Sequence, residues 1–421
     1  MDLFAQLGKE IEDAWRRQDY DESLLPALAA DALRRADLPA KLTAWDVIEW
    51  TLDQTALPPQ KDPAATFGDP PLTVFVAPRF YIDVYFWLNG TTQIHQHGFS
   101  GAFQVLLGSS IHSWYEFERT DVVNSFMEIG EMRLKLCELL KVGDVQEIRA
   151  GRQYIHSLFH LEQPSATIVV RTDKSPLYLP QFSYHKPCIA LDPFYEDITL
   201  TRKLQALDVL FQTDRPDADR CVTELLERSD FQTGFSILSY LHRALTTGAL
   251  KELFALESPA TQFSTYLEIV QRRHGSKSDD LEAVFAYRDR TNEIIRRRSY
   301  VTDAEHRFFF ALLLNVEGGE RILGLIHGRF PEADPVEKIL DWTHDLAQTR
   351  VAGVNTPNAL GVEDFGAVDL TILEHLLRGK PVADIGDAVT SEFGQEKAST
   401  ADVDAKIKRI LASNVFHPLF A

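Results

Sequence analysis

The chain is poor in cysteine, in basic charge and in long apolar runs, and each shortage excludes something. Only three cysteines occur in 421 residues, Cys137, Cys188 and Cys221. They are too far apart for a Cys-x-x-Cys metal or redox site and too few for a disulfide framework, so a reducing compartment, the cytoplasm, is expected. Lys and Arg number 43 against 62 Asp and Glu, for a formal net charge of -19. Binding to a phosphate backbone rests on clustered basic residues, so nucleic acid is not an expected partner. The one basic run, Arg296-Arg297-Arg298, lies in a helical pattern and reads as a solvated helix face before it reads as a binding patch. No apolar run approaches the roughly 18 residues of a membrane span, and no membrane partner is expected. The N-terminus, with Glu10, Glu12 and Asp13 close behind Met1, lacks the basic start and apolar stretch of a secretory signal. Phosphate-binding glycine loops, HExxH and GxSxG are all missing.

What is present changes character twice along the chain. Over residues 1–60, Phe4, Leu7, Ile11 and Trp15, then Leu24, Leu25, Leu28 and Leu33, recur at helical spacing. A turn-rich connector from Pro58-Pro59 to Pro70-Pro71 leads into residues 61–198. There, short runs rich in Val, Ile, Phe, Tyr and Thr alternate with Gly, Asn, Asp and Pro, and the expected strands are 72–76, 80–88, 92–97, 102–107, 110–117, 145–148, 153–158 and 167–171. So many short strands in so few residues suggest a sandwich or small barrel. Residues 199–421 return to helical periodicity. Within them Thr302-Asp303-Ala304-Glu305 has the form of a capping box, with Thr302 as cap, and Asn355-Thr356-Pro357-Asn358 with Gly361 marks a break. The fold class expected is α+β: a β-barrel behind a short helical segment, followed by a large all-α domain.

His95-Gln96-His97 carries the strongest chemical signal. Side chains at i and i+2 of a strand share a face, so both imidazoles can reach one ion, and imidazole suits Fe, Zn, Ni and Cu. A later turn-strand-turn-strand segment, from Gly143-Asp144 through Ala150-Gly151, ends on a third histidine, His156. His160 is the alternative third ligand. On a regular strand it lies about 13 Å from His156, so both cannot serve unless the strand ends early.

This segment resembles a cupin, a double-stranded β-barrel that holds a metal with an HxH strand and one later histidine. The resemblance covers less than a third of the chain. It implies His95, His97 and His156 as ligands and a glutamate four or five residues after the second histidine, where this sequence has Gly101 and Ala102. An all-histidine set, and the run Ser100-Gly101-Ala102-Phe103 into Leu106-Leu107-Gly108, are similar to the thiol dioxygenase branch typified by cysteine dioxygenase. That branch implies Fe(II), dioxygen and a small thiol or other anionic metabolite. Its Ser-His-Tyr relay is absent here, where Thr167, Val169 and Arg171 stand instead, and Ala102 occupies the place of its crosslinking cysteine. Gln104 is a candidate weak ligand, or an ordinary strand residue.

Other residues have paired readings. Arg171 is a candidate clamp for a substrate carboxylate and Arg79 a weaker one, each also readable as a rim arginine. Asp83 and His112 are candidate partners for the ligand imidazoles, against an edge carboxylate and a core histidine. Tyr154, two residues before His156 on its face, could offer a phenol or simply fill the barrel. Cys188, beside His185 and Lys186, reads as a passive thiol. The function expected is a mononuclear non-heme Fe(II) oxygenase. The alternatives are a non-catalytic cupin whose helical domain binds a partner, and a Zn or Mn isomerase or hydrolase. The helices could also cap the barrel mouth or join copies into a homo-oligomer.

Overall fold

A computed structural model describes residues 2–61, 68–88, 93–213, 215–246, 259–350, 358–395 and 399–421. The expected strand start at Thr92 and the break at Asn355-Thr356-Pro357 lie outside these residues. The chain is α+β. Helices α1 (Asp2–Arg16), α2 (Leu25–Ala36) and α3 (Ala44–Asp53) precede eleven strands. These are β1 (Pro71–Val76), β2 (Phe80–Trp87), β3 (His95–His97), β4 (Gly101–Leu107), β5 (Ser110–Asn124), β6 (Met127–Leu140), β7 (Val145–Ile148), β8 (Gly151–His160), β9 (Ser165–Thr172), β10 (Ser183–His185) and β11 (Ile189–Leu191). A five-stranded sheet runs β1-β2-β9-β4-β7, and a second sheet, β10-β11-β6-β5-β8-β3, closes as a barrel.

Strand β6 is the main element that the sequence reading did not include. It carries Glu131-Met132-Arg133-Leu134-Lys135-Leu136, whose charges hide the apolar run but alternate with period two, and from Glu131 to Lys135 its exposure alternates with them. The same periodicity could have found it.

By its internal packing the chain forms two units. The first comprises Met1–Glu116, Leu134–Tyr178 and Arg290–Ala421, the second Phe117–Arg133 and Leu179–Asp289. In the first, one face of the five-stranded sheet, with Ile82, Val84, Ala102, Leu106, Ile168 and Val170, buries against Phe4, Leu7, Ile11, Leu25, Ala29 and Leu33 of α1 and α2. The opposite face, with Tyr85, Trp87, Phe103, Val105 and Val169, packs against Tyr154 and Leu158 of β8. Strands β5 and β8 are sandwiched in turn. Ile111 and Phe159 point outward into a helical core with Phe308, Phe309, Leu312, Ile339 and Trp342, while their neighbours His112 and Leu158 lie on the inner face. Each such fully buried Leu, Ile or Phe stabilises by about 1.5–3 kcal/mol, which is why alternate residues of β8 are held to opposite sides. Some of the C-terminal helices therefore cover the outer face of the strands that carry His112 and His156. In the second unit Met127, Ile189, Phe211, Val222, Leu226, Phe235, Leu241, Tyr266, Val270 and Phe285 form a separate core. No helix among the described residues is long and apolar enough to cross a membrane.

Two local expectations are corrected. The Arg296-Arg297-Arg298 run is not a solvated face, because only Arg296 is exposed. Arg297 bonds Glu293 and the Asn358 carbonyl. Arg298 lies over the Phe159 ring at 3.9 Å and donates to the His160 carbonyl at 2.6 Å. Burial lowers its pKa to about 9, with Arg307 adding, so it stays charged at neutral pH. The helix Ala304–Asn315 is capped by Asp303, whose carboxylate accepts from the amides of Glu305 and His306. Thr302 is not the cap. Glu305 turns instead to Lys338 and the Trp342 indole, at 2.6 and 2.9 Å. Asp303→Ala is therefore expected to destabilise the first unit by about 0.5–2 kcal/mol in denaturant titrations and Thr302→Ala by under about 0.5 kcal/mol. The reverse order would contradict this cap assignment.

Candidate metal centre

His95 and His97 are the two ends of the short strand β3, and His156 lies directly across from His95 on β8. The register breaks between Gln96 and His97, so that His97 pairs with Gly151, and such irregularities re-aim a side chain. The three rings form a nearly equilateral triangle, with centroids 4.7, 4.7 and 4.9 Å apart. One ring nitrogen from each lies within 4.8 Å of the others, and among the described residues this is the only group of three metal-ligating side chains so disposed. The Nε2 atoms of His97 and His156 approach to 2.8 Å. Bonds of about 2.1 Å to one ion place neighbouring donors about 3 Å apart, so this nitrogen set fits a single ion with small adjustments.

The remaining nitrogens set the ring orientations. The Gln93 carbonyl lies 2.7 Å from His95 Nδ1, which as an N–H donor there turns Nε2 toward the group. His156 Nδ1 lies 2.9 Å from His112 Nε2, on the adjoining strand β5. His95, His97, His156 and His112 are 8, 5, 2 and 0% exposed. Burial is the first cause that lowers the pKa of each, with other histidines adding for His97, His112 and His156, so all four are neutral near pH 7. A neutral imidazole keeps a lone pair for a metal.

The two positions where a cupin glutamate would fall cannot supply one. A Cβ added at Gly101 would strike the Val170 carbonyl of the neighbouring strand β9. Ala102 is fully buried on the other face, against the N-terminal helices. The neutral donor set therefore follows from the packing of β4 on β9, not merely from a missing residue.

The other expected residues fall into two groups. Tyr154 is fully buried, its ring 4.5 Å from that of His156 and its hydroxyl 3.5 Å from His112 Nε2. Burial, helped by Glu138, raises its pKa well above the ordinary phenol value, so it keeps its proton. Arg171 is half-buried. It stacks 3.5 Å from the Phe99 ring centroid and donates to the Tyr85 hydroxyl at 3.1 Å, and Phe99 in turn packs 4.5 Å from His97. Asp83 is buried on β2, between β1 and β9, bonded to Thr73 and Tyr85, and burial raises its pKa. It belongs with Thr73, Tyr85 and Arg171.

Gln104 faces away from the triangle: it shares the Ala102–Leu106 side of β4 and donates to the Gly143 carbonyl at 3.2 Å. His160 lies outside the group, stacked on Trp87 at 4.6 Å with Nδ1 2.7 Å from the Ser165 hydroxyl, because β8 runs straight through to it. Arg79 is exposed and covers the Tyr20 ring at 4.4 Å. Cys188 is buried, and burial together with Asp280 pushes its thiol up to about 12. Sequence reading missed Tyr85 and Phe99 as neighbours of the site, although each lies two residues from a residue it did name. No protein-family model and no curated protein matches the chain. The barrel and the three-histidine group by themselves fit a cupin-like metal site.

Burial, with Arg298 adding, lowers the His160 pKa from 6.5 to about 3. The folded state therefore resists a proton that the unfolded chain accepts. Stability linked to His160 is complete above about pH 6.5 and falls by up to about 1.4 kcal/mol per pH unit on the way down to about pH 3. In chelator-treated protein, His160→Asn should make the loss of stability between pH 7 and 5 shallower. Equal slopes for both proteins would contradict it.

Proposed function

We propose that the protein is a mononuclear non-heme Fe(II) oxygenase of the cupin type, adding dioxygen to a small thiol or other anionic metabolite. His95, His97 and His156 would hold the iron. The observation that carries this reading is the triangle of buried imidazoles, with no room at Gly101 for a ligand side chain. Iron bound there would supply open coordination positions and an electron donor, and its charge would not be offset by a ligand carboxylate.

The chain's own residues would do the rest. Arg171, positioned by Tyr85 and Phe99 beside His97, would hold the anionic end of the substrate through a charge-assisted hydrogen bond. Tyr154, kept as a phenol, would donate a hydrogen bond toward the reacting group. Phe99, Phe103 and Trp114 line the same interior and would limit water around it. Asp83 would act through Tyr85, holding the hydroxyl that positions the Arg171 guanidinium.

Protein purified without added metal should contain close to one iron per chain. It should consume oxygen with at least one member of a panel of thiols and amino acids. His95→Ala and His97→Ala should each abolish metal retention. Arg171→Gln should lower kcat/KM by about 10–100-fold, mainly through KM, the size expected for losing a hydrogen bond to a charged group. Near-stoichiometric zinc with no oxygen uptake would instead favour the isomerase or hydrolase alternative.

A further inference from the structure

We propose that His112 is a positioning residue that sets which nitrogen of His156 faces the metal, and that a loaded site holds His112 in its Nδ1–H tautomer. The inference rests on the reading that the three histidines hold a metal. It adds a control that the three ligands alone do not supply.

His112 and His156 are buried side by side, with no carboxylate bonded to either among the described residues and the Tyr154 hydroxyl 3.5 Å from His112 Nε2, and each is a neutral imidazole with one N–H. His156 Nε2 lies 2.8 Å from His97 Nε2, and its Nδ1 lies 2.9 Å from His112 Nε2. Both distances are hydrogen-bonding ones, so each contact takes one proton. Two settings satisfy them. In the first, His156 Nε2–H donates to His97, and His112 Nε2–H donates to His156 Nδ1. In the second, His156 Nδ1–H donates to His112 Nε2, whose own proton must then sit on Nδ1, and His97 Nε2–H donates to His156 Nε2. Only in the second is His156 Nε2 without a proton, so that an ion can take its lone pair once the His97 proton has moved to Nδ1. Going from the first setting to the loaded one gains and loses no proton: His112 and His156 each move theirs from Nε2 to Nδ1.

A ligand histidine commonly donates its other N–H to a carboxylate or a carbonyl, which are acceptors in every state. Here the partner is an imidazole, which accepts in one tautomer and donates in the other. The ligand pair therefore has a second, metal-rejecting setting that a carboxylate partner would not allow. The Nδ1 of His112 has no hydrogen-bond partner among the described residues, so the accepting tautomer buries an unpaired N–H, whose desolvation cost the bond to the metal must offset. Phe103 and Trp114 pack around the ring, at 5.9 and 4.7 Å between centroids, and keep its Nε2 turned toward His156.

The test uses the full chain with zinc as a diamagnetic probe. Histidine-selective nitrogen-15 spectra of the zinc-loaded protein should show His112 as the Nδ1–H tautomer, assigned by the signals lost in His112→Gln. In chelator competition, His112→Leu should bind zinc about 10–100-fold more weakly than the parent. His112→Gln, whose amide oxygen accepts without choosing a tautomer, should restore most of the affinity. An Nε2–H tautomer in the loaded protein, or unchanged affinity in a folded His112→Leu, would overturn the proposal while leaving the metal site standing. Equal losses in the leucine and glutamine variants would also overturn it, since packing alone would then explain the effect. A parent protein that retains neither zinc nor iron would remove both this inference and the function it rests on.

Discussion

The site depends on strands that are covered on both faces. Along β5 and β8 one set of residues, Ile111 and Phe159, is held in the helical core, which forces the alternate set, His112 and His156, into the interior behind the five-stranded sheet. Because the strand period is two, a slip of one residue would bring Ile155 or Ser157 to the place of His156, and Ile111 or Ser113 to the place of His112. The apolar residues thereby fix the register, and the imidazoles follow.

Burial then decides the chemistry of the donors. Imidazoles deep in an apolar interior stay neutral, because the charged form loses its solvation. The close approach of β4 to β9 at Gly101 removes the room for a ligand carboxylate, so packing and charge act together. Formal charge enters the neighbourhood from the side, with the Arg171 guanidinium against Phe99 and the Asp83 carboxyl behind Tyr85. A cation bound by the imidazoles would face little negative charge from protein, which favours an anionic partner for it.

Much of this was legible in the sequence, and the part that was not has physical reasons. The HxH pair, the third histidine and the strand-rich middle are local patterns of period two, and the three histidines do converge. The choice between His156 and His160 needed register, and register comes from cross-strand pairing rather than from a single strand. Gln104 was named through its distance from His97 along the chain, whereas its side chain follows the parity of Ala102 and Leu106. Arg297 and Arg298 looked solvated because charge is a poor guide where an aromatic ring and backbone carbonyls take up the guanidinium. The steric ban at Gly101 is invisible in sequence, since it arises from a strand some seventy residues away.

The central claim is that three imidazoles share one ion. X-ray absorption on zinc-loaded protein addresses it most directly. The expected spectrum has three imidazole nitrogens at about 2.0–2.1 Å, with the multiple-scattering signature of the rings, and loses that signature in His97→Ala. Sulfur in the inner shell, a single imidazole, or a spectrum unchanged by His97→Ala would contradict it.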